Sequence, residues 1–257
     1  MLELGLEGKV AIITGGSEGL GRAAAEKLVR EGARVAICAR RQDVLERAAA
    51  QIRSATGQEV LAMPTDVTRP DAVQALVDAV VARFGGVDIL LNNAGTSAAS
   101  PFLDVDDAKW QFDIDLKLMA AVRLCRLVVP LMKKRGGGRI INVTNLGGKA
   151  PAAGGLPTSV TRAAGINLTK SLANEYAADN IRVNTICIGL VRSAQIARRA
   201  KGDLEAHYAE LARQRVPLGR VAHASEFADL FAFLVSERAT YITGASINFD
   251  GGSGMTV

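Results

Sequence analysis

Aromatic residues are scarce in this 257-residue chain: one Trp, three Tyr and seven Phe, 4% in all. They do not interleave with Lys and Arg, and there is no basic block of the sort nucleic acid requires. The net charge of +5 is spread along the chain. It reads as a solvated surface with some attraction for anionic cofactors, so no nucleic-acid partner is expected. Cysteine is equally sparse. Cys38, Cys125 and Cys187 are odd in number and far apart, which excludes a disulfide framework and argues against a metal cluster. The two histidines, His207 and His223, lack metal-ligand spacing, so no metal site is expected. Long apolar runs are missing too. Nothing approaches the roughly 18 residues that a membrane span needs. The N-terminus carries Glu3 and Glu7 in place of an apolar secretory stretch. A soluble, cytoplasmic protein is the expectation.

What the chain does have is glycine in a telling place. In KVAIITGGSEGLG, Lys9 to Gly21, a short apolar run ends in a turn holding Gly15, Gly19 and Gly21. The run has the length and β-branched content of a buried strand. The glycines let backbone take positive φ and approach a ligand closely. The segment behind them puts Leu20, Ala24, Leu28 and Val29 on one helical face and stops at Gly32. Strand, bare turn and helix N-terminus together form an anion cradle, since free N–H groups and the helix dipole favour a pyrophosphate.

The same alternation continues. Strands are expected at 34–39, 59–63, 87–91, 139–143, 181–186 and 246–249. Helices are expected at 42–54, 70–84, 104–135, 158–178 and 225–234, with Pro130 marking a stop or kink in the long one. Such alternation predicts an α/β fold with a parallel sheet covered on both faces. No linker or repeat breaks the chain, so residues 1–257 read as one domain.

These stretches resemble the short-chain dehydrogenase/reductases along nearly the whole length. The resemblance rests on TGGSEGLG (Thr14 to Gly21), Asp66-Val67, NNAG (Asn92 to Gly95), IRVN (Ile181 to Asn184) and YITGASINFDGG (Tyr241 to Gly252). It implies a Rossmann-like, doubly wound parallel sheet of about seven strands that binds a nicotinamide dinucleotide at its carboxyl edge. It also implies a small-molecule substrate, a variable substrate lid at about 190–216, and assembly as a dimer or tetramer. By this resemblance Gly15, Ser17, Glu18, Gly19, Leu20 and Gly21 form the pyrophosphate turn. Asp66 and Val67 meet the adenine. Asn92, Asn93, Ala94 and Gly95 wall the ribose and nicotinamide side, and Gly189 follows strand six.

Relatives that prefer NAD(H) usually end strand two with an acid that grips the ribose hydroxyls. Here Ala39 is followed by Arg40 and Arg41, and guanidinium groups suit a phosphate dianion. Glu18 dissents, yet NADP(H) is favoured over NAD(H).

The family's catalytic tetrad does not fit. The register fixed by AAGINLTKSLA (Ala163 to Ala173) places Arg162 at the Lys position, Thr158 at the Tyr position and Asn145 at the Ser position. In WQFDIDLK the Asn position reads as Asp115. Tyr176, Tyr208 and Tyr241 are the only tyrosines, and none has Lys four residues later. An aliphatic hydroxyl ionises at about 15–16, some 5–6 units above tyrosine. That gap of roughly 7–8 kcal/mol exceeds what one Arg supplies. Thr158 alone is therefore not expected to be the proton donor. Asn145 could polarise a carbonyl, Arg162 could hold ribose hydroxyls, and Asp115 could serve as acid or base if a dry site raised its pKa. His207 and Tyr208 in the lid are further donor candidates.

Three functions stay open at this stage. One is an NADP(H)-dependent oxidoreductase with a rebuilt proton-donor site. The others are a cofactor-binding scaffold without redox activity and a lyase or hydrolase using Asp115 and Arg162. If the pocket otherwise follows the family, Thr158→Tyr with Arg162→Lys should raise carbonyl reduction.

Overall fold

The computed structural model describes residues 3–197, 200 and 202–256. Seven strands form one parallel sheet in the order β3-β2-β1-β4-β5-β6-β7: β1 (Val10–Thr14), β2 (Arg34–Ala39), β3 (Leu61–Pro64), β4 (Ile89–Asn92), β5 (Gly138–Asn145), β6 (Ile181–Ile188) and β7 (Ser246–Phe249). β1, β2 and β4 are almost wholly buried, as expected of strands covered on both faces.

One face carries α1 (Gly19–Arg30), α2 (Gln42–Thr56) and α9 (Ala224–Val235), whose Leu28, Leu45, Phe227 and Phe231 meet Ile13, Ile37 and Leu91. On the other, α3 (Pro70–Phe84), α5 (Ala120–Lys134) and α6 (Thr158–Tyr176) pack Val77, Leu124 and Ala173 against Ile12, Leu90 and Ile140. The doubly wound α/β fold anticipated from the alternation is therefore present. Sequence order reverses beside β1, whose neighbours are β2 and β4. Ligands of such sheets bind in the crevice at that reversal. Among the described residues no helix is long and apolar enough to cross a membrane.

The largest departure from expectation lies in the long helix predicted over 104–135. It is a 3₁₀ turn (Phe102–Asp104), then α4 (Asp107–Ile114), a π-helical turn (Asp115–Met119) and α5. In the π turn Ala120 N–H reaches Asp115 O, five residues back. Pro130 lies inside α5, which runs on to Lys134. The stretch expected to be the lid contains α7 (Ala194–Ala197) and α8 (Leu204–Arg215), and its residues 198, 199 and 201 lie outside the described ones.

Candidate active site

The glycine turn is shaped by close approach. Gly15 has φ +64° and Gly19 φ +53°, values at which a side chain is strained. A Cβ on Gly21 would stand 2.2 Å from Gly15 O, and one on Gly15 would stand 2.9 Å from Asn93 Nδ2. Around Gly19 the space is open. Ser17 and Glu18 lead into α1, with Glu18 extended at its N-cap. Asn93 locks the turn by donating from Nδ2 to Thr14 O and Gly15 O. Thr14 Oγ1 accepts from the amides of Asn93 and Ala94. Backbone that bare, held at a helix N-terminus, fits a dinucleotide pyrophosphate.

Just past β3, Asp66 Oδ1 accepts from Thr68 N and Thr68 Oγ1. Partial burial works to raise its pKa, but these bonds and nearby Arg40 and Arg69 hold the carboxyl below the usual range. Val67 is buried beside it. Arg41 is tied to Glu18 at 2.6 Å. The two residues that pulled the cofactor reading in opposite directions thus pair with each other, leaving Arg40 as the unpaired arginine of the two among the described residues. Gly189 donates to Phe249 O, and a Cβ there would lie 2.9 Å from Asp250 Cα.

Beside this platform a narrow cleft is lined by Thr14, Asn92, Ala94, Lys117, Thr161 and Arg162 among others. Asp113 and Lys117 have fully buried side chains and form an ion pair. Lys117 Nζ also donates to Thr158 Oγ1 at 2.8 Å, and Thr161 Oγ1 donates to Asp113 Oδ2 at 2.7 Å. Ala98 N donates to Thr158 Oγ1 at 3.1 Å. Thr158 Oγ1 is thus an acceptor twice over, and its own proton is uncommitted among the described residues. Burial lowers the Lys117 pKa, as does the charge on Arg162, against the pull of Asp113.

Arg162 donates to Val143 O at 2.7 Å, and its buried Nε has no partner among the described residues. Burial pushes its pKa down to about 10, against the charge on Asp113. The arginine lies on the first turns of α6, its Nη2 against Gly95 of NNAG. Asn145 ends β5, and its Oδ1 is buried without a partner among the described residues.

Asp115 is not brought to the cleft. Its carboxylate accepts from Gln111 and Arg123, both at 2.9 Å. These two bonds hold its pKa below the usual range, the reverse of the rise expected in a dry site. Tyr208 also points elsewhere: it packs with Ala212 and Val221 in a separate small cluster, with Arg192 over its ring at 4.7 Å. His207 is next to it on α8.

Lys117, Asp113 and Thr161 are the residues sequence reading missed. Their signal was periodicity: Asp113, Lys117, Ala120, Ala121 and Leu124 follow one helical face, and that face is buried. A charge at i and i+4 on an apolar face signals a buried pair. Asp115, two residues off, falls on the other side.

Comparison with known proteins finds relatives across the whole chain and solved structures of the same fold. A family model described as enoyl-(acyl carrier protein) reductase matches residues 15–254. The 3-oxoacyl-(acyl-carrier-protein) reductase FabG of Vibrio cholerae is 36% identical over 252 residues, 98% of this chain and 100% of its own. The L-sorbose reductase of Gluconobacter frateurii, solved with NADPH and L-sorbose, is 41% identical, with TM-score 0.96 and full coverage of both chains. A short-chain oxidoreductase from Pseudomonas aeruginosa, solved with NADPH and containing an atypical catalytic center, is 36% identical. Its TM-score is 0.93, with 97% of this chain and 98% of that one covered.

Proposed function

The chain belongs to the short-chain dehydrogenase/reductase family and is an oxidoreductase, and from that premise we propose an NADP(H)-dependent enzyme that interconverts a carbonyl and an alcohol through a lysine-fed threonine. The observation that carries this reading is the 2.8 Å bond from Lys117 Nζ to Thr158 Oγ1. A bound nicotinamide would supply or take the hydride. The protein handles the proton. In reduction, Thr158 Oγ1 gives its hydroxyl proton to the carbonyl oxygen as that oxygen becomes an alcohol, and Lys117 Nζ refills Thr158 in the same event. Lysine ends neutral, threonine unchanged. In oxidation the transfers reverse.

Concert matters energetically. Free threonine alkoxide lies far out of reach near neutral pH, but a hydroxyl that gains one proton as it loses another never becomes an alkoxide. Proton transfer of this kind contributes about 10²–10⁴ in rate. Arg162 supplies fixed positive charge beside the cleft, and with Nη1 held on Val143 O its Nη2 is the group offered to ribose hydroxyls. Asn145 is assigned to the carbonyl oxygen as a neutral hydrogen-bond donor.

NADP(H) is preferred in this reading because Arg40 is free to meet a 2′-phosphate. The whole chain serves as one dinucleotide-binding unit, with about 190–216 covering the substrate, in the cytoplasm. Exposed Phe112 on α4 and Val160 on α6 support a homo-oligomer, dimer or tetramer, closed across those helices. The relative solved with L-sorbose supports a small polyhydroxylated ketone as substrate class.

The test is calorimetric titration with NADPH and NADH, then NADPH oxidation with L-sorbose and a panel of ketoses. Binding with turnover, lowered about 10²–10⁴-fold in Thr158→Val, is expected. Failure to bind either coenzyme at millimolar concentration removes the redox reading.

A further inference from the structure

Asp113 takes no part in the proton transfer described above, yet it is the most enclosed carboxylate near the cleft, at 0% exposure. A carboxylate so far from water needs charged or hydrogen-bonding partners. Both of its oxygens have one: Oδ1 takes Lys117 Nζ, and Oδ2 takes the Thr161 hydroxyl at 2.7 Å. Thr161 stands one turn along α6 from Thr158, so the carboxylate braces α4 against the helix that carries the threonine.

We infer that Asp113 is a positioning residue that keeps Lys117 charged and aimed at Thr158 Oγ1, completing a chain Thr161–Asp113–Lys117–Thr158. The inference rests on Lys117 being the proton source. Its physical basis is a competition at one ammonium. Enclosure disfavours the charged form, and the guanidinium of Arg162, facing from α6, disfavours it again. Asp113 opposes both. Without the carboxylate, two cations would share a site with little solvent, and lysine would shed its proton. The carboxylate also fixes direction. One ammonium N–H is spent on Asp113 and another is held on Thr158, so the side chain cannot swing toward the cleft mouth.

The readout is the titration of Lys117 itself, followed by NMR on full-length protein carrying [13Cε]lysine, alone and with NADPH, its signal assigned by loss in Lys117→Met. In Asp113→Asn, which preserves shape, the Lys117 midpoint should fall by one pH unit or more, a tenfold change in proton affinity. Thr161→Val keeps the carboxylate and should shift the midpoint by much less. A purely structural brace predicts a lower melting temperature in Asp113→Asn with the midpoint unmoved, and that outcome overturns the inference. Should Asp113→Asn fail to fold, the same measurement on Asp113→Glu decides. A longer carboxylate keeps the charge but not the alignment, so the midpoint should stay high while L-sorbose reduction drops at least tenfold. Unchanged reduction there also overturns it. A separate control tests the underlying reading: Lys117→Met that retains wild-type turnover removes Lys117 as proton source, whatever Asp113 does.

Discussion

Gly95 has no side chain because the Arg162 guanidinium occupies that space. A Cβ at Gly95 would lie 2.6 Å from Arg162 Nη2. The loop after β4 and the first turns of α6 are therefore fitted to each other through one bare backbone position. The obstruction is the far end of a flexible side chain, but that end is also anchored on Val143 O. Gly95→Ala should therefore cost stability modestly, about 1 kcal/mol, while displacing Arg162. Coenzyme affinity should fall about tenfold by calorimetry. A variant that binds NADPH like the parent would show that Arg162 does not need its present seat.

Gly21 is a harder limit. Its added Cβ would meet Gly15 backbone oxygen at 2.2 Å, and backbone cannot step aside as a side chain can. Gly21→Ala should lose about 1–3 kcal/mol by thermal or urea unfolding and lose measurable NADPH binding. Gly19→Ala meets nothing within 4 Å but strains a positive φ. Its stability loss should be the smaller of the two, and the reverse order would contradict the packing described.

Lysine chemistry gives the pH dependence its sign. Burial, with help from Arg162, sets the Lys117 pKa below the ordinary 10.5. Reduction needs the protonated form, so its rate should be flat on the acid side and fall tenfold per unit above the lowered pKa. Oxidation should show the opposite limb. For stability, the unfolded chain holds this proton more tightly than the native one. Between the two pKa values unfolding therefore becomes harder as pH rises, on this group alone. Lys117→Arg cannot give up its proton in this range, so turnover should drop and the residual activity should show no limb. A limb that persists points to another group.

Coenzyme choice should respond to Glu18. Its carboxylate engages Arg41 at 2.6 Å, with both side chains about half exposed. Glu18→Gln releases that guanidinium for a 2′-phosphate. NADPH should then bind roughly 3- to 10-fold more tightly, a conservative share of a charge-assisted hydrogen bond in water, while NADH changes little. Equal gains for both coenzymes would place the effect elsewhere.

Much of this was readable from residues alone. The strand–turn–helix at Lys9 to Gly21 and the seven strands follow from local patterns, and local patterns are what one chain displays. Matching the family motif in WQFDIDLK selects Asp115. Its carboxylate instead binds Gln111 and Arg123, whereas the buried helical face through Asp113, Ala120 and Leu124 leads to Lys117. That residue also changes the outlook for restoring the usual pair. Thr158 is 5% exposed and bonded to both Lys117 and Ala98. A tyrosine there overpacks an enclosed site that already has its own ammonium. Thr158→Tyr with Arg162→Lys should therefore reduce, not raise, both folding stability and carbonyl reduction.

The widened turn at Asp115–Met119 makes the chemistry hostage to a single codon. Loss of Asp115 or Leu116 would cut the spacing between Asp113 and Lys117 to three residues, rotating the carboxylate by about 100° relative to its lysine. A protein so altered could keep its sheet and its coenzyme seat while falling catalytically silent. The frame-preserving deletion is thus a short genetic route from enzyme to mere nucleotide carrier.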